Sequence, residues 1–275
     1  MKIDSHQHFW RYHPERHPWI NEDMQVLRKD YLPEDLEPLL RARGFEGCVA
    51  VQAEMSEAET VFLLQCAATH PFIKGVVGWV NLTEAGVGER LDYFGSNPLL
   101  KGIRHIVQDE PDLDFMLRPD FQAGIGCLAP YGLCYDILVY PRQLPASIAL
   151  ARRFPEQRFV IDHLAKPPVT GQIDPRWKRD IQALGSLSNV FCKLSGMVTE
   201  TPKFQWRQED FYPYMDVVMQ AFGPDRLMFG SDWPVCLLAA GYNEVEDIVA
   251  GYLRSFKPAE MQAVMGLNAI RFYGL

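Results

Sequence analysis

The chain has 275 residues, 48% of them hydrophobic, and a formal net charge of -8. That balance speaks against nucleic acid or an anionic membrane as the main partner, and no apolar run reaches the ~20 residues of a membrane span. The six cysteines form no Cys-x-x-Cys pair, which excludes a zinc knuckle or a dithiol motif and suits buried thiols in a reducing cytoplasm. An expected strand from Lys2 onward leaves no room there for a signal peptide, so a cytoplasmic location is expected. Nothing in the pattern dictates an oligomeric state.

The first strand reads Ile3-Asp4-Ser5-His6-Gln7-His8. Strict alternation predicts Asp4, His6 and His8 on one face, with Ile3 and Ser5 on the other. An aromatic loop follows, with Trp10 and Trp19, and then a helix opened by Leu32-Pro33-Glu34-Asp35 and ended at Gly44. The second strand, Gly47–Glu54, is apolar on both faces until Gln52 and Glu54, as a parallel strand covered by helices should be. Ser56-Glu57-Ala58-Glu59 is a capping box for a helix reaching Thr69.

Ile73–Asn81 is the third strand, and Thr83 is expected to cap the helix after it. Leu100–Ile106 is the fourth strand, followed by a helix around Phe121–Ala129. Leu133–Tyr140 is the fifth, with a helix from Pro141 to Arg153. Arg158–His163 is the sixth, with a helix from Pro175 to Leu184. Val190–Gly196 is the seventh, with a helix from Phe211 to Phe222. Arg226–Asp232 is the eighth, and helices over Glu244–Phe256 and Pro258–Phe272 end the pattern. Strands alternating with helices over about 250 residues predict a single (β/α)8 TIM barrel over residues 1–275, with a doubly wound open sheet as the runner-up.

A barrel of this kind carries its chemistry at the C-terminal ends of its strands. His6, His8, Gln52, Glu54, Arg104, His105, His163, Lys193, Ser195 and Asp232 all fall there. Each has a plain alternative. Asp232 could serve a turn before Trp233-Pro234, His163 could bond loop carbonyls, and Glu54 could only neutralise Arg104. Lys193, in an apolar strand, needs a partner such as Asp162 or Asp4 unless it faces a pocket. Arg104 and His105 are adjacent, so a regular strand turns only one of them inward. Trp10, Trp79 and Trp233 are candidates to stack on a substrate, although core packing is the commoner fate of such rings.

Ile3-Asp4-Ser5-His6-Gln7-His8, Ile161-Asp162-His163 and Gly230-Ser231-Asp232-Trp233-Pro234 resemble motifs of the amidohydrolase superfamily, and more closely its amidohydrolase-2 branch. Phe9-Trp10, Asp162–Pro167 and Cys192–Gly196 add a resemblance to the sugar-lactone hydrolases, over nearly the whole chain. The resemblance implies a hydrolase that opens the ester of a sugar-acid lactone of the L-fucono, L-rhamnono or galactono type. It implies Asp232 as the base for the attacking water and His163 as acid/base or carbonyl polariser. Gln52, Glu54, Arg104, His105 and Lys193 are the expected substrate-binding residues.

His6, His8 and Asp232, with Glu54 as a candidate fourth, would hold one divalent metal, zinc first. The chain departs from metal-dependent relatives at strand five, where Tyr140 stands in place of a ligand histidine, and it lacks their bridging strand-four lysine. A binuclear site is therefore not expected, and metal-free hydrolysis stays open beside the mononuclear site. Two rivals are a decarboxylase or hydrolase of an aromatic acid or lactone, and a metabolite-binding barrel without catalysis.

Overall fold

A computed structural model describes residues 1–275. The strands are β1 (Ile3–Gln7), β2 (Gly47–Val51), β3 (Ile73–Gly78), β4 (Leu100–His105), β5 (Cys134–Ile137), β6 (Phe159–Ile161), β7 (Val190–Leu194) and β8 (Leu227–Phe229). They form one eight-stranded sheet in chain order, with every neighbouring pair parallel. The circle closes just beyond β8. There the Asp232 amide donates to the His6 carbonyl at 2.8 Å, and the His8 amide to the Trp233 carbonyl at 2.7 Å. This is the (β/α)8 barrel that the alternation predicts.

Between the strands run α1 (Pro33–Ala42), α2 (Glu57–Thr69), α3 (Val87–Gly95), α4 (Pro119–Gly126), α5 (Leu144–Arg153), α6 (Pro175–Gly185) and α7 (Tyr212–Phe222). After β8 come α8 (Tyr242–Leu253), α9 (Pro258–Gln262) and α10 (Asn268–Tyr273). No helix is long and apolar enough to cross a membrane. Ser56 caps α2 by accepting from the Glu59 amide at 3.1 Å, as its capping box predicts. Thr83 caps no helix: its hydroxyl donates to Asn81 at 2.7 Å in a local turn, and α3 starts after Gly86. Short Ser/Thr/Asn side chains favour such turns over helix.

The interior has two storeys. Its lower storey is apolar: Ile3, Val49, Val51, Val77, Val160 and Met228 pack together, and Phe272 of α10 closes the end. Burying each such side chain is worth about 1.5–3 kcal/mol. The upper storey is charged and leads to the mouth.

The first strand corrects a sequence expectation. Ile3 belongs to the apolar interior, whereas Asp4 reaches outward and accepts from the Tyr242 hydroxyl of α8 at 3.2 Å. The pairing of β1 with β2 slips between Asp4 and Gln7. That bulge inserts one residue and reverses the alternation, so Ile3 and His6 both face inward and Asp4 does not.

Candidate active site

The expected strands overrun at their C-terminal ends: His6, Arg104 and Lys193 lie within strands, whereas His8, His163, Ser195 and Asp232 sit just beyond them. After β6, His163, Leu164, Ala165 and Lys166 are all left-handed, with φ of 54°, 55°, 58° and 51°. Asp232 after β8 is left-handed too, at 57°. Each costs roughly 1–2 kcal/mol for a residue with a Cβ. The β6 turn is pinned by the Lys166 amide donating to the His163 carbonyl at 2.7 Å and by Trp177 Nε1 donating to the Leu164 carbonyl at 2.8 Å. Two glycines give the imidazoles room. A Cβ on Gly196 would collide with His163 Nδ1, and one on Gly230 would lie 2.7 Å from the His6 Cβ.

His6, His8, His163 and Asp232 converge. Asp232 Oδ1 lies 3.3 Å from His8 Nε2 and 3.8 Å from both His6 Nε2 and His163 Nε2. His6 Nε2 and His8 Nε2 are 3.2 Å apart. His8 Nδ1 is 2.7 Å from the Val51 carbonyl, which only accepts, so Nδ1 carries the proton and Nε2 keeps a lone pair. Behind His6, Nδ1 lies 3.3 Å from Asp162 Oδ1, the carboxylate backing common to ligating histidines.

These distances test a metal. Zinc–ligand bonds of about 2.0–2.1 Å set tetrahedral donor separations of roughly 3.3 Å. The His6, His8 and Asp232 donors, at 3.2, 3.3 and 3.8 Å, fit one ion. Arg104 Nη1 stands 3.3 Å from His6 Nε2, however, and offers that lone pair a proton instead.

Burial alone would push the Asp232 carboxyl up. The His163, His8 and His6 imidazoles facing it outweigh burial and hold it well below the usual carboxylate range. Burial pushes His163 down to about 4 against the pull of Asp232 and Asp162, which leaves its imidazole neutral at pH 7. Its Nδ1 is 2.8 Å from the Ser195 hydroxyl.

Below the mouth lies a sealed ionic layer. Lys193 Nζ meets Asp136 Oδ2 at 2.5 Å, Asp162 Oδ1 at 3.0 Å and His6 Nδ1 at 3.0 Å. Arg104 Nη1 donates to Asp162 Oδ2 at 3.0 Å, and the Tyr273 hydroxyl of α10 donates to Asp136 Oδ2 at 2.8 Å. Burial opposes the ionisation of Asp162, but Lys193, His6 and Arg104 prevail and hold it far below its ordinary value.

Above this layer opens a cleft of about 390 Å³, lined by His8, Arg104, Tyr140, His163, Lys166, Glu200 and Asp232 among others. Of the residues expected to bind substrate, Arg104 lines it. Lys193 is fully buried in the ionic layer, paired with Asp162 and Asp136 rather than Asp4. Gln52 serves Arg104, accepting from Nε at 3.1 Å. Glu54 pairs with Arg16 of the first loop at 3.0 Å. His105 turns outward, stacks on Phe115 with centroids 4.8 Å apart, and meets Glu110 at 2.7 Å. Trp10 and Trp233 are core residues and Trp79 bonds His105, whereas Trp19 lines the cleft.

Asp136 and Glu200 escape sequence reading. A lone carboxylate in an apolar strand was a signal for Asp136, matching that of Lys193. Glu200 lies in a long loop that carries no pattern.

A (β/α)8 barrel with a His-x-His pair and an aspartate at its mouth is built for polar chemistry on a small molecule. A family model described as Amidohydrolase matches residues 3–275, and the chain belongs to that family. It is 41% identical to an L-fucono-1,5-lactonase of Burkholderia multivorans, across 100% of this chain and 96% of that one. It is 36% identical to an L-fucono-1,5-lactonase of Burkholderia ambifaria, across 99% of this chain and 95% of that one. A crystal structure of an amidohydrolase from Burkholderia multivorans with bound zinc superposes with a TM-score of 0.96 at 42% identity, covering 100% of this chain and 99% of that one.

Proposed function

We propose that the protein is a hydrolase that opens the ester bond of a sugar-acid lactone, with L-fucono-1,5-lactone as the first substrate to test. The observation that carries this is the convergence of His6, His8, His163 and Asp232 on one cleft, in a chain with end-to-end likeness to L-fucono-1,5-lactonases. Asp232, held ionised, takes a proton from the attacking water. In the tautomer in which the Ser195 hydroxyl donates to Nδ1, neutral His163 carries its proton on Nε2 and offers it to the carbonyl oxygen as charge develops there. The C–O ester bond then breaks, and the proton held by Asp232 passes to the leaving alkoxide, giving the hydroxy acid. Arg104, a fixed cation in the cleft wall, favours the same oxyanion.

His6, His8 and Asp232 would hold one divalent ion, zinc by their nitrogen-rich donor set, and Lewis acidity is what such an ion supplies when bound. Arg104 beside His6 supports hydrolysis without an ion equally well.

The test is a pH-indicator assay on a panel of 1,5- and 1,4-aldonolactones and aromatic acids, with and without chelator, alongside elemental analysis. Acid release from a sugar lactone, and no turnover of the aromatic acids, is expected. Folded protein that acidifies no sugar lactone would overturn the reading. Full activity in metal-stripped protein would remove the ion from the reaction and leave Asp232 as the base.

A further inference from the structure

The left-handed run after β6 does more than aim His163. It ends on Lys166, whose side chain enters the same cleft. Opposite it, on the loop after β7, stands Glu200. The two loops are stitched together by the Val169 amide, which donates to the Glu200 carbonyl at 2.9 Å. The side chains so brought together are only loosely paired: Lys166 Nζ is 4.0 Å from Glu200 Oε1, and both are largely buried, at 17% and 19% exposed. The other neighbour of the ammonium is the face of Tyr140, 5.5 Å from the ring centroid.

Neither contact is a hydrogen bond. Three N–H donors and a carboxylate thus face the cleft without a hydrogen-bond partner in the protein. This is the reverse of Lys193, whose carboxylate partners Asp136 and Asp162 lie at 2.5 and 3.0 Å. The run that carries Lys166 is costly, and strain of this kind persists where it holds a group in a working position. Glu200 senses the same space. Burial pushes its carboxyl up, Lys166 pulls it back, and Asp232 adds to the rise.

We propose that Lys166 and Glu200, over the ring of Tyr140, form the subsite that recognises the hydroxyl groups of a polyhydroxylated lactone. The proposal rests on the lactone-hydrolase reading and adds to it the residues that make a sugar the preferred acyl group. A hydroxyl both donates and accepts, so adjacent hydroxyls satisfy an ammonium and a carboxylate together, and charged partners make those bonds the stronger kind. A lactone without hydroxyls covers both charges without pairing them, and a site built to bond hydroxyls discriminates against such a ligand.

The experiment measures kcat and KM of wild type, K166M, E200Q and the double variant on an aldono-1,5-lactone and on δ-valerolactone, which has the same ring and no hydroxyls. Circular dichroism confirms folding. For wild type, a strong preference for the hydroxylated lactone is expected. K166M should lower the ratio of the two kcat/KM values by roughly 10–100-fold, mainly through KM on the hydroxylated lactone. E200Q should lower it less, and the double variant should lose less than the product of the single losses, because the pair acts as one subsite.

Equal losses on both lactones, or no loss on either, would overturn the proposal. A wild type that cleaves δ-valerolactone as readily as the sugar lactone would overturn it while leaving the lactonase reading intact. A wild type that cleaves neither would overturn both.

Discussion

The charged part of the barrel is itself in two storeys, a sealed layer and the mouth above it, built from similar residue types to opposite ends. In the sealed layer, Lys193 meets Asp136 and Asp162 at 2.5 and 3.0 Å, Tyr273 adds a second donor to Asp136 Oδ2, and Arg104 reaches down from the cleft wall to Asp162 at 3.0 Å. At the mouth, Asp232, His163 and Lys166 stand on left-handed backbone, and the oppositely charged or chargeable pairs Asp232 with the three histidines and Lys166 with Glu200 lie 3.3–4.0 Å apart. Charge that the protein satisfies itself holds the fold together. Charge held on strained backbone with bonding capacity left over is free to act on a ligand. Stability and activity should therefore separate between the storeys.

The largest effect is expected at the mouth. Asp232→Asn keeps the size of the side chain and removes the proposed base, so kcat/KM on the best lactone should fall by about 10²–10⁴-fold. Thermal unfolding should move little, since no buried ion pair of the sealed layer is touched. Folded D232N with near-native kcat/KM would shift the base to another residue and break the comparison.

Lys193→Met tests the sealed storey. It strands Asp136 and Asp162 in the barrel interior, and removing one partner of a buried pair typically costs about 3–5 kcal/mol. Urea unfolding followed by circular dichroism should show that loss. A stability change under about 1 kcal/mol would mean that the layer is not held by its charges. Glu54→Gln should do least. Its partner Arg16 is about half exposed, and such pairs are worth less than about 1 kcal/mol, so stability should hold within that margin in the same unfolding experiment.

The contrast between storeys also marks how far the sequence could be read. Strands alternating with helices pointed to the barrel, because burial on both faces leaves uniformly apolar runs such as Cys48–Val51. The strand exits were legible for the same reason: a histidine or aspartate that ends an apolar run stands out. Lys193 announced its need for a partner, and Asp162 met it. The bulge in β1 was not legible, because it depends on how β1 registers against β2, so Asp4 was expected on the wrong face. The left-handed turn was hidden too. Its residues are His, Leu, Ala and Lys, none of which advertises positive φ as glycine does. The strands end sooner than the apolar pattern suggests, and His105 is the outward member of its pair with Arg104, so the cleft wall includes Tyr140, Lys166 and Glu200 rather than Gln52, Glu54 and His105.

The Tyr273–Asp136 bond ties the shape of the barrel to the order in which the chain is made. Asp136 emerges first, its ammonium partner follows 57 residues later, and its hydroxyl partner 137 residues later. Until Lys193 exists, burying that carboxylate is opposed by the cost of an unpaired charge. Until α10 exists, the apolar lower storey is open at its base. The centre therefore stays incomplete until α10 is in place. Closure of the barrel thereby waits for α10, and a chain that stops short of Tyr273 leaves a carboxylate in the interior without its hydroxyl.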